Sequence, residues 1–454
     1  MAEGVMLFKE NSLTEGNITP QLIRFAIPYM SANLLQALYG AIDTVIVGHY
    51  TNAAGLSAAA IGSQFMFLIN GIIIGLSLGG TILIARYFGA KSDTDIKETI
   101  GTMFTLFAIV SIALTMVMFA SVRPLVRVLQ TPSEAVSQTE GYIFISSAGI
   151  SFMFAYNALS AMLRGFGDSK RPLAFVAIAS VCNVIGDLIL VAVFKMGAPG
   201  AALATILSQG LSAALAVIYL KKQNFHFDFK LDSFRIKREK LKNLIKIGLP
   251  MCVQMSMTTV SFMFIMATVS VMGGVVASAA IGITSKINGF VMLPPIAFSA
   301  AISAMVSQNM GAGRPKRAIK CLYVGISVTL IFGVISFALL QFFSPAVINI
   351  FTPDTELIRA TSLYLKSFSI DCILVCFVFC LNGFFNGCGH TRFSMINNLM
   401  AAFLIRVPAT WLLSKIPGAD LFSIGFATPM SSLLSITIGI IYLRSGRWRK
   451  LKLS

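Results

Sequence analysis

Long apolar stretches alternate with short polar ones along the whole chain, and they are too long to be the inner faces of soluble helices. A helix needs about 20 mostly apolar residues to cross the hydrocarbon of a bilayer. Twelve such stretches can be marked, at 20–46, 54–85, 97–121, 135–162, 172–195, 200–220, 242–270, 277–308, 318–342, 356–386, 392–414 and 421–443. Several exceed the minimum, which predicts tilted spans or spans that extend past the bilayer. The first 19 residues are polar and carry no signal-peptide pattern, so the first span reads as retained. The expectation is an all-α polytopic membrane protein with twelve transmembrane helices.

The pattern repeats at an offset of 222 residues. FAIP at 25–28 matches IGLP at 247–250, ARYFGA at 85–90 matches SQNMGA at 307–312, and RGFG at 164–167 matches NGCG at 386–389. Tyr142 and Tyr364 keep the same offset. Each half holds six spans, and six is even, so the halves share one orientation. That predicts two pseudo-symmetric six-helix lobes related by an axis along the membrane normal. The N-terminal lobe is assigned to 1–220, a linker to 221–240 and the C-terminal lobe to 241–454. The linker is polar and basic, and Phe225, Phe227, Phe229 and Phe234 interleave with its charges. That pattern fits a membrane-surface helix and an extended strand alike.

Composition agrees with lipid as the solvent. The chain is 56% hydrophobic and 12% charged, against about 25% charged in soluble domains. The net charge of +17 raises the question of nucleic acid, and the distribution answers it. Basic residues gather in the even-numbered loops and the tails: Arg86, Lys91 and Lys97; Arg164, Lys170 and Arg171; 221–246; Arg314 to Lys320; and 444–452. That alternation is the positive-inside pattern, which places both termini in the cytoplasm. It is not the basic stripe of a nucleic-acid binder. The reading is a monomeric, multi-pass protein of the cell membrane whose partners are the lipid bilayer and small organic substrates.

No enzyme constellation is present. There is no phosphate loop, no HExxH and no nucleophile elbow. Cys372, Cys376 and Cys380 recur every four residues on one helix face and read as packing residues rather than a metal site. No cofactor is implied, and energy must come from an ion gradient or from a partner.

Charges inside spans are costly and usually functional. Asp43 lies near the end of span 1, Asp187 in span 5 and Arg406 in span 11; Lys366 and Asp371 lie nearer the outer part of span 10, and Lys286 in span 8. Gln36, Tyr39 and Asp43 share one face of the first helix, and Asn183 and Asp187 one face of the fifth. Asn157 in span 4 and Thr205 in span 6 add polar groups to the same lobe. Convergence of these faces makes a polar pocket. Burial disfavours the charged form of a carboxylate, and a second carboxylate disfavours it further, so protons can be taken up near neutral pH. Na+ is the alternative, held by Asp43, Asn183, Asp187 and Thr205. The plainer reading is that the acids only hydrogen-bond neighbouring helices. Pro28 lies on the same helix as Asp43 and predicts a bend, static or mobile. At the offset of 222, the positions of Asp43, Asn183 and Asp187 hold Ile265, Ile405 and Ala409, so the ion site is expected once, in the first lobe. Methionines in the second lobe, among them Met251, Met263 and Met305, fit either an adaptable substrate wall or ordinary packing.

The motifs FAIP at 25–28, LYGAIDTVIVGHY at 38–50, ARYFGAK at 85–91, ALSAMLRGFGDSKRP at 158–172 and NVIGDLILV at 183–191 together resemble the multidrug and toxic compound extrusion (MATE) family, over about 18–445. The resemblance implies twelve spans in two lobes around a central cavity, and antiport of drug-like, often cationic compounds against H+ or Na+. Asp43 and Asp187 match the coupling acids of the prokaryotic DinF-like branch, with Asn157, Asn183 and Thr205 in the same pocket. The second-lobe acids of the NorM-like branch correspond to Thr258 and Val375 here. The mechanism implied is alternating access, with cation binding at the acids and bending near Pro28. The alternative is a flippase for lipid-linked precursors; it calls for several cationic residues in the cavity. A structural or receptor-like membrane protein is the third class, and two buried acids argue against it.

Overall fold

The computed structural model describes residues 12–128, 131–222, 227, 230–418 and 420–449, and these are helical, with no strand among them. Inside lipid every backbone N–H and C=O must be satisfied within the chain, which an apolar helix achieves alone. Among the described residues, 9 helices are long and apolar enough to cross a membrane, and 11 spans result when two bent pairs each count as one. The 54-residue helix Arg238–Val291 is broken at Gly274, where φ is 59°. Dividing it there and continuing its second part into Leu293–Gly311 brings the spans to twelve, as the hydropathy pattern predicts.

The first six spans are Ile18–Tyr50, Ala53–Gly89, Asp93–Val128, the pair Val136–Ala148 and Ile150–Gly165, Lys170–Asp187 with its π-helical continuation Leu188–Val193, and Ala198–Lys222. The second six run 238–273, 275–311, Pro315–Phe342, the pair Thr355–Phe368 and Asp371–Gly387, Thr391–Lys415, and Leu421–Arg444. Span 4 bends by 41° and span 10 by 49°. Of the linker at 221–240, residues 223–226, 228 and 229 lie outside the described residues. Lys221 and Lys222 end span 6, Leu231–Phe234 forms one 3-10 turn, and Arg238 opens span 7.

The repeated glycine motif has a structural reason. Gly165 sits where a Cβ would come within 2.8 Å of Ile84 Cγ2, and Gly387 where one would come within 2.6 Å of Ser303 O. Small residues let helices approach closely. Gly167 and Gly389 each have φ of 87°, a left-handed conformation that glycine adopts at no steric cost. One glycine of each motif thus permits helix contact and the other ends the helix.

The chain separates into two compact units, Ile27–Gly248 being the body of one, and Leu13–Ala26 with Leu249–Ser454 the other. Two helices change unit along their length, and each does so two residues before a buried proline, Pro28 or Pro250. Leu22, Phe25 and Ala26 are buried in one apolar cluster with Phe298, Ile302 and Leu322. The cysteine row packs as expected: Cys372, Cys376 and Cys380 are buried, free thiols, and Cys376 Sγ donates to Cys372 O at 3.2 Å. The methionines form no single wall, since Met305 is in the buried cluster while Met263 is 66% exposed.

Candidate functional site

In the first unit, one face of span 1 meets spans 2, 4 and 6 around a polar cavity of about 110 Å³. Gln36, Tyr39 and Asn157 line it, together with Asn70, Arg164 and Gln209. Gln209 Nε2 donates to the Tyr39 hydroxyl at 3.4 Å, tying span 6 to span 1. Asn157 Nδ2 donates to Met153 O in its own helix at 2.9 Å. The Arg164 guanidinium lies over the Tyr29 ring, 5.4 Å from its centroid. Sequence reading placed Arg164 among the loop cations; it is instead the last basic residue of Ile150–Gly165 and half-buried. Gln209 escaped notice because one amide in an apolar helix gives no pattern.

Of the residues that the sequence groups at the ion site, Asn157 lines that cavity, whereas Asp43, Asn183, Asp187 and Thr205 do not. Asp43 lies four residues beyond Tyr39 on the same helix face. Asp187 and Asn183 are fully buried, and Asp43 is half-buried. The two acids are within electrostatic reach of each other, and Tyr39 and Tyr142 are within reach of both. Apolar packing flanks them: Ile46 and Val47 of span 1 cluster with Val191 of span 5 and Ala201 of span 6. Gly186 lets spans 5 and 6 close up, since a Cβ there would be 3.1 Å from Ala204 Cβ. Beside that contact, Asn183 Nδ2 donates to Thr205 Oγ1 at 3.4 Å. Asp187 ends the α-helical part of span 5 and a π-helical turn follows it. Such irregular turns within helices often mark functional positions.

The decisive feature is what the acids lack. Both carboxyl oxygens of Asp187, Oδ1 of Asp43 and Oδ1 of Asn183 are buried with no hydrogen-bond donor. No basic side chain among the described residues acts electrostatically on either acid. Buried acceptors normally find donors, and buried charges find partners. A cluster of orphan oxygens is what a cation or an added proton satisfies. The set is too poor in His, Cys and acids for a transition-metal centre, and among the described residues no such cluster of three exists.

The second unit handles its buried acid differently. Asp371 is 2% exposed and its Oδ1 also lacks a donor, but Ser432 hydrogen-bonds its carboxyl and Arg406 acts on it electrostatically from span 11. Arg406 Nε also donates to Ser431 Oγ at 3.2 Å, and its guanidinium lies 5.1 Å from the Phe262 ring centroid. The positions matching Asp43 and Asp187, Ile265 and Ala409, are buried and apolar. The repeated tyrosines mark the charged place in each unit: Tyr142 senses Asp43 and Asp187, and Tyr364 senses Asp371 and Arg406. Pro28 is buried within an unbroken helix from Ile18 to Tyr50. Lys286 and Lys366 are exposed.

Comparison with known proteins agrees with this architecture. The MatE family model matches residues 28–189 and again 250–412, so each match starts at one of the paired prolines. A Bacillus subtilis protein named probable multidrug resistance protein YpnP is 30% identical over 98% of this chain and 99% of its own length. Thermotoga maritima has a probable multidrug resistance protein NorM that is 25% identical over 95% of this chain and 94% of its own. Among solved structures, a MATE protein in complex with MaL6 superposes with a TM-score of 0.92 at 22% identity, over 98% of this chain and 100% of the other. An outward-facing MATE family transporter of the MOP superfamily superposes with a TM-score of 0.91 at 21% identity, over 97% and 98%. The double family match and the full-length relatives show that the chain belongs to the MATE family, whose members are membrane transporters and not enzymes.

Proposed function

We propose that this protein is a secondary active multidrug efflux antiporter that exports organic, often cationic compounds in exchange for H+ or Na+. Its full-length relatives are named multidrug resistance or multidrug export proteins, which supports the substrate class. The observation that carries the coupling reading is the orphaned oxygen cluster of Asp43, Asn183 and Asp187. Thr205 Oγ1, beside Asn183, completes an oxygen set suited to Na+. Two acids without a basic partner are costly in a helix bundle unless a cation occupies them for part of a cycle. Gln36 and Tyr39 of span 1, with Asn157 of span 4, then belong to the substrate cavity, and Tyr39 is one helical turn from Asp43 along span 1. Pro28 supplies the bend through which cation occupancy at Asp43 moves that face. The positive-inside distribution supports a cell-membrane protein with both termini in the cytoplasm. The flippase reading is the weaker one, because the cavity carries a single cation, Arg164, among its lining residues.

Efflux of a fluorescent organic cation from proteoliposomes, driven by pH and sodium gradients imposed separately, tests the reading. Asp43→Asn and Asp187→Asn are each expected to lower gradient-driven efflux by about tenfold or more, equivalent to about 1.4 kcal/mol. Pro28→Ala is expected to slow turnover while substrate binding is kept. Undiminished efflux in both acid variants removes the coupling site.

A further inference from the structure

A second set of charges, independent of the transport reading, lies where the starts of spans 1 and 9 meet in the second unit. They enclose an open cavity of about 600 Å³. Asn17, Ile18 and Thr19 line one side, and Lys316, Arg317 and Lys320 the other. Arg317 is anchored: its guanidinium donates to Gly16 O at 2.7 Å, Glu15 O at 2.9 Å and Gln21 Oε1 at 3.1 Å. Its Nε is buried with no acceptor. Arg314 takes the nearby acid, pairing with Glu15 at 3.3 Å. Lys316 and Lys320 have no ion-pair partner among the described residues. They lie one turn apart on Pro315–Phe342, where like charges repel. Opposite them is the N-terminal end of the 33-residue helix Ile18–Tyr50. Its third residue, Pro20, has no N–H, but the N–H groups of Ile18, Thr19 and Gln21 have no acceptor within the helix, and its dipole adds partial positive charge. The cavity therefore gathers positive charge from both sides.

The repeat shows how the same place is neutralised when no ligand is needed. At the offset of 222, Arg317 corresponds to Asp95, Lys320 to Glu98, Glu15 to Lys237 and Ile18 to Lys240. Helix Asp93–Val128 starts at the position matching Pro315. In the first unit, Lys240 pairs with Asp95, and Lys237 pairs with Glu98 at 3.4 Å. The charge signs are exchanged between the two elements, and the pairs close internally. In the second unit, four cations, from Arg314 to Lys320, face one acid among the described residues, Glu15. The positive excess belongs to this lobe alone and is not a requirement of the fold.

We propose that this cavity binds a phosphate group, presented by an anionic lipid headgroup or by free phosphate. Two unpaired ammonium groups, the fixed positive charge of Arg317 in the cavity wall and a helix N-terminus form a site suited to phosphate oxygens. The start of span 1, at the end of the spans where the basic loops lie, puts the cavity within reach of headgroups.

The test uses the full chain purified in an uncharged detergent. Its unfolding temperature is followed while phosphatidylglycerol, phosphatidylcholine or inorganic phosphate is added. Three proteins are compared: wild type, Lys316→Gln with Lys320→Gln, and the charge-matched control Lys221→Gln with Lys242→Gln. Stabilisation by phosphatidylglycerol or phosphate, but not phosphatidylcholine, is expected in wild type and control. The Lys316/Lys320 variant is expected to need about tenfold more ligand for the same shift. A response to phosphatidylglycerol alone identifies the lipid; an equal response to inorganic phosphate identifies the free anion. If the double variant unfolds early without ligand, Lys320→Gln alone is read the same way. Identical titration midpoints in wild type and variant, or an equal loss in the control, overturn the proposal.

Discussion

At the residue scale the protein is defined by which buried charges have partners. Asp371 has Arg406 within electrostatic reach, whereas Asp187 is fully buried and neither of its oxygens has a donor. An unsatisfied buried polar group costs about 1–3 kcal/mol, and more when charged. Asp187→Asn removes the charge and keeps the size, so it is expected to leave the unfolding temperature in detergent unchanged or raised at alkaline pH. Asp371→Asn strands Arg406 and is expected to lower it. Differential scanning fluorimetry of the two variants checks this; a larger loss at Asp187 than at Asp371 shows that the first acid is structurally paired. These acids were legible in the sequence because a charge inside an apolar run stands out. Gln209 and Arg164 were not. A lone amide is weakly marked, and an arginine at a helix end looks like a loop residue until its ring contact with Tyr29 is seen.

At the element scale the sequence was most informative, since helix length and apolarity are physically tied to bilayer thickness. Span 3 shows the limit: its apolar part covers 97–121, but the helix runs Asp93–Val128. Polar end turns extend a helix without any hydropathy signal, and Asp93 and Asp95 favour the N-terminal end. The division at Gly274 was legible as the gap between the stretches 242–270 and 277–308, whereas the helical continuity on either side of it was not, because the residues there are helical and apolar alike. The glycine motif was legible as a repeat, while its two roles needed the coordinates. They predict unequal costs. A Cβ at Gly387 meets backbone, Ser303 O at 2.6 Å, whereas at Gly165 it first meets the Ile84 side chain at 2.8 Å. Overpacking costs about 1–3 kcal/mol where nothing can yield. Gly387→Ala is expected to lower the unfolding temperature more than Gly165→Ala, as measured by thermal melts in one detergent. The reverse order shows that the backbone at Ser303 yields more readily than the Ile84 side chain.

At the scale of the whole molecule the two halves share a backbone plan and differ in charge. The first carries acids without bases and closes its span-7 start with ion pairs; the second holds its acid within electrostatic reach of Arg406 and leaves cations open at its span-1 start. In the proposed exchange, a cation at the first-half acids can shift a conformational equilibrium only by binding one state better than the other. Linkage then requires reciprocity: whatever factor Na+ or H+ removes from substrate affinity, substrate must remove from cation affinity. Titration of a fluorescent organic cation into the purified protein, with sodium and pH varied separately, measures that factor. A change of about fivefold or more is expected for the coupling ion, corresponding to about 1 kcal/mol. It is expected to vanish in Asp43→Asn and Asp187→Asn but persist in Asp371→Asn, whose acid is already balanced by Arg406. Coupling that survives the first two variants and disappears in the third moves the ion site to the second half, and the orphan oxygens of the first half then need another occupant.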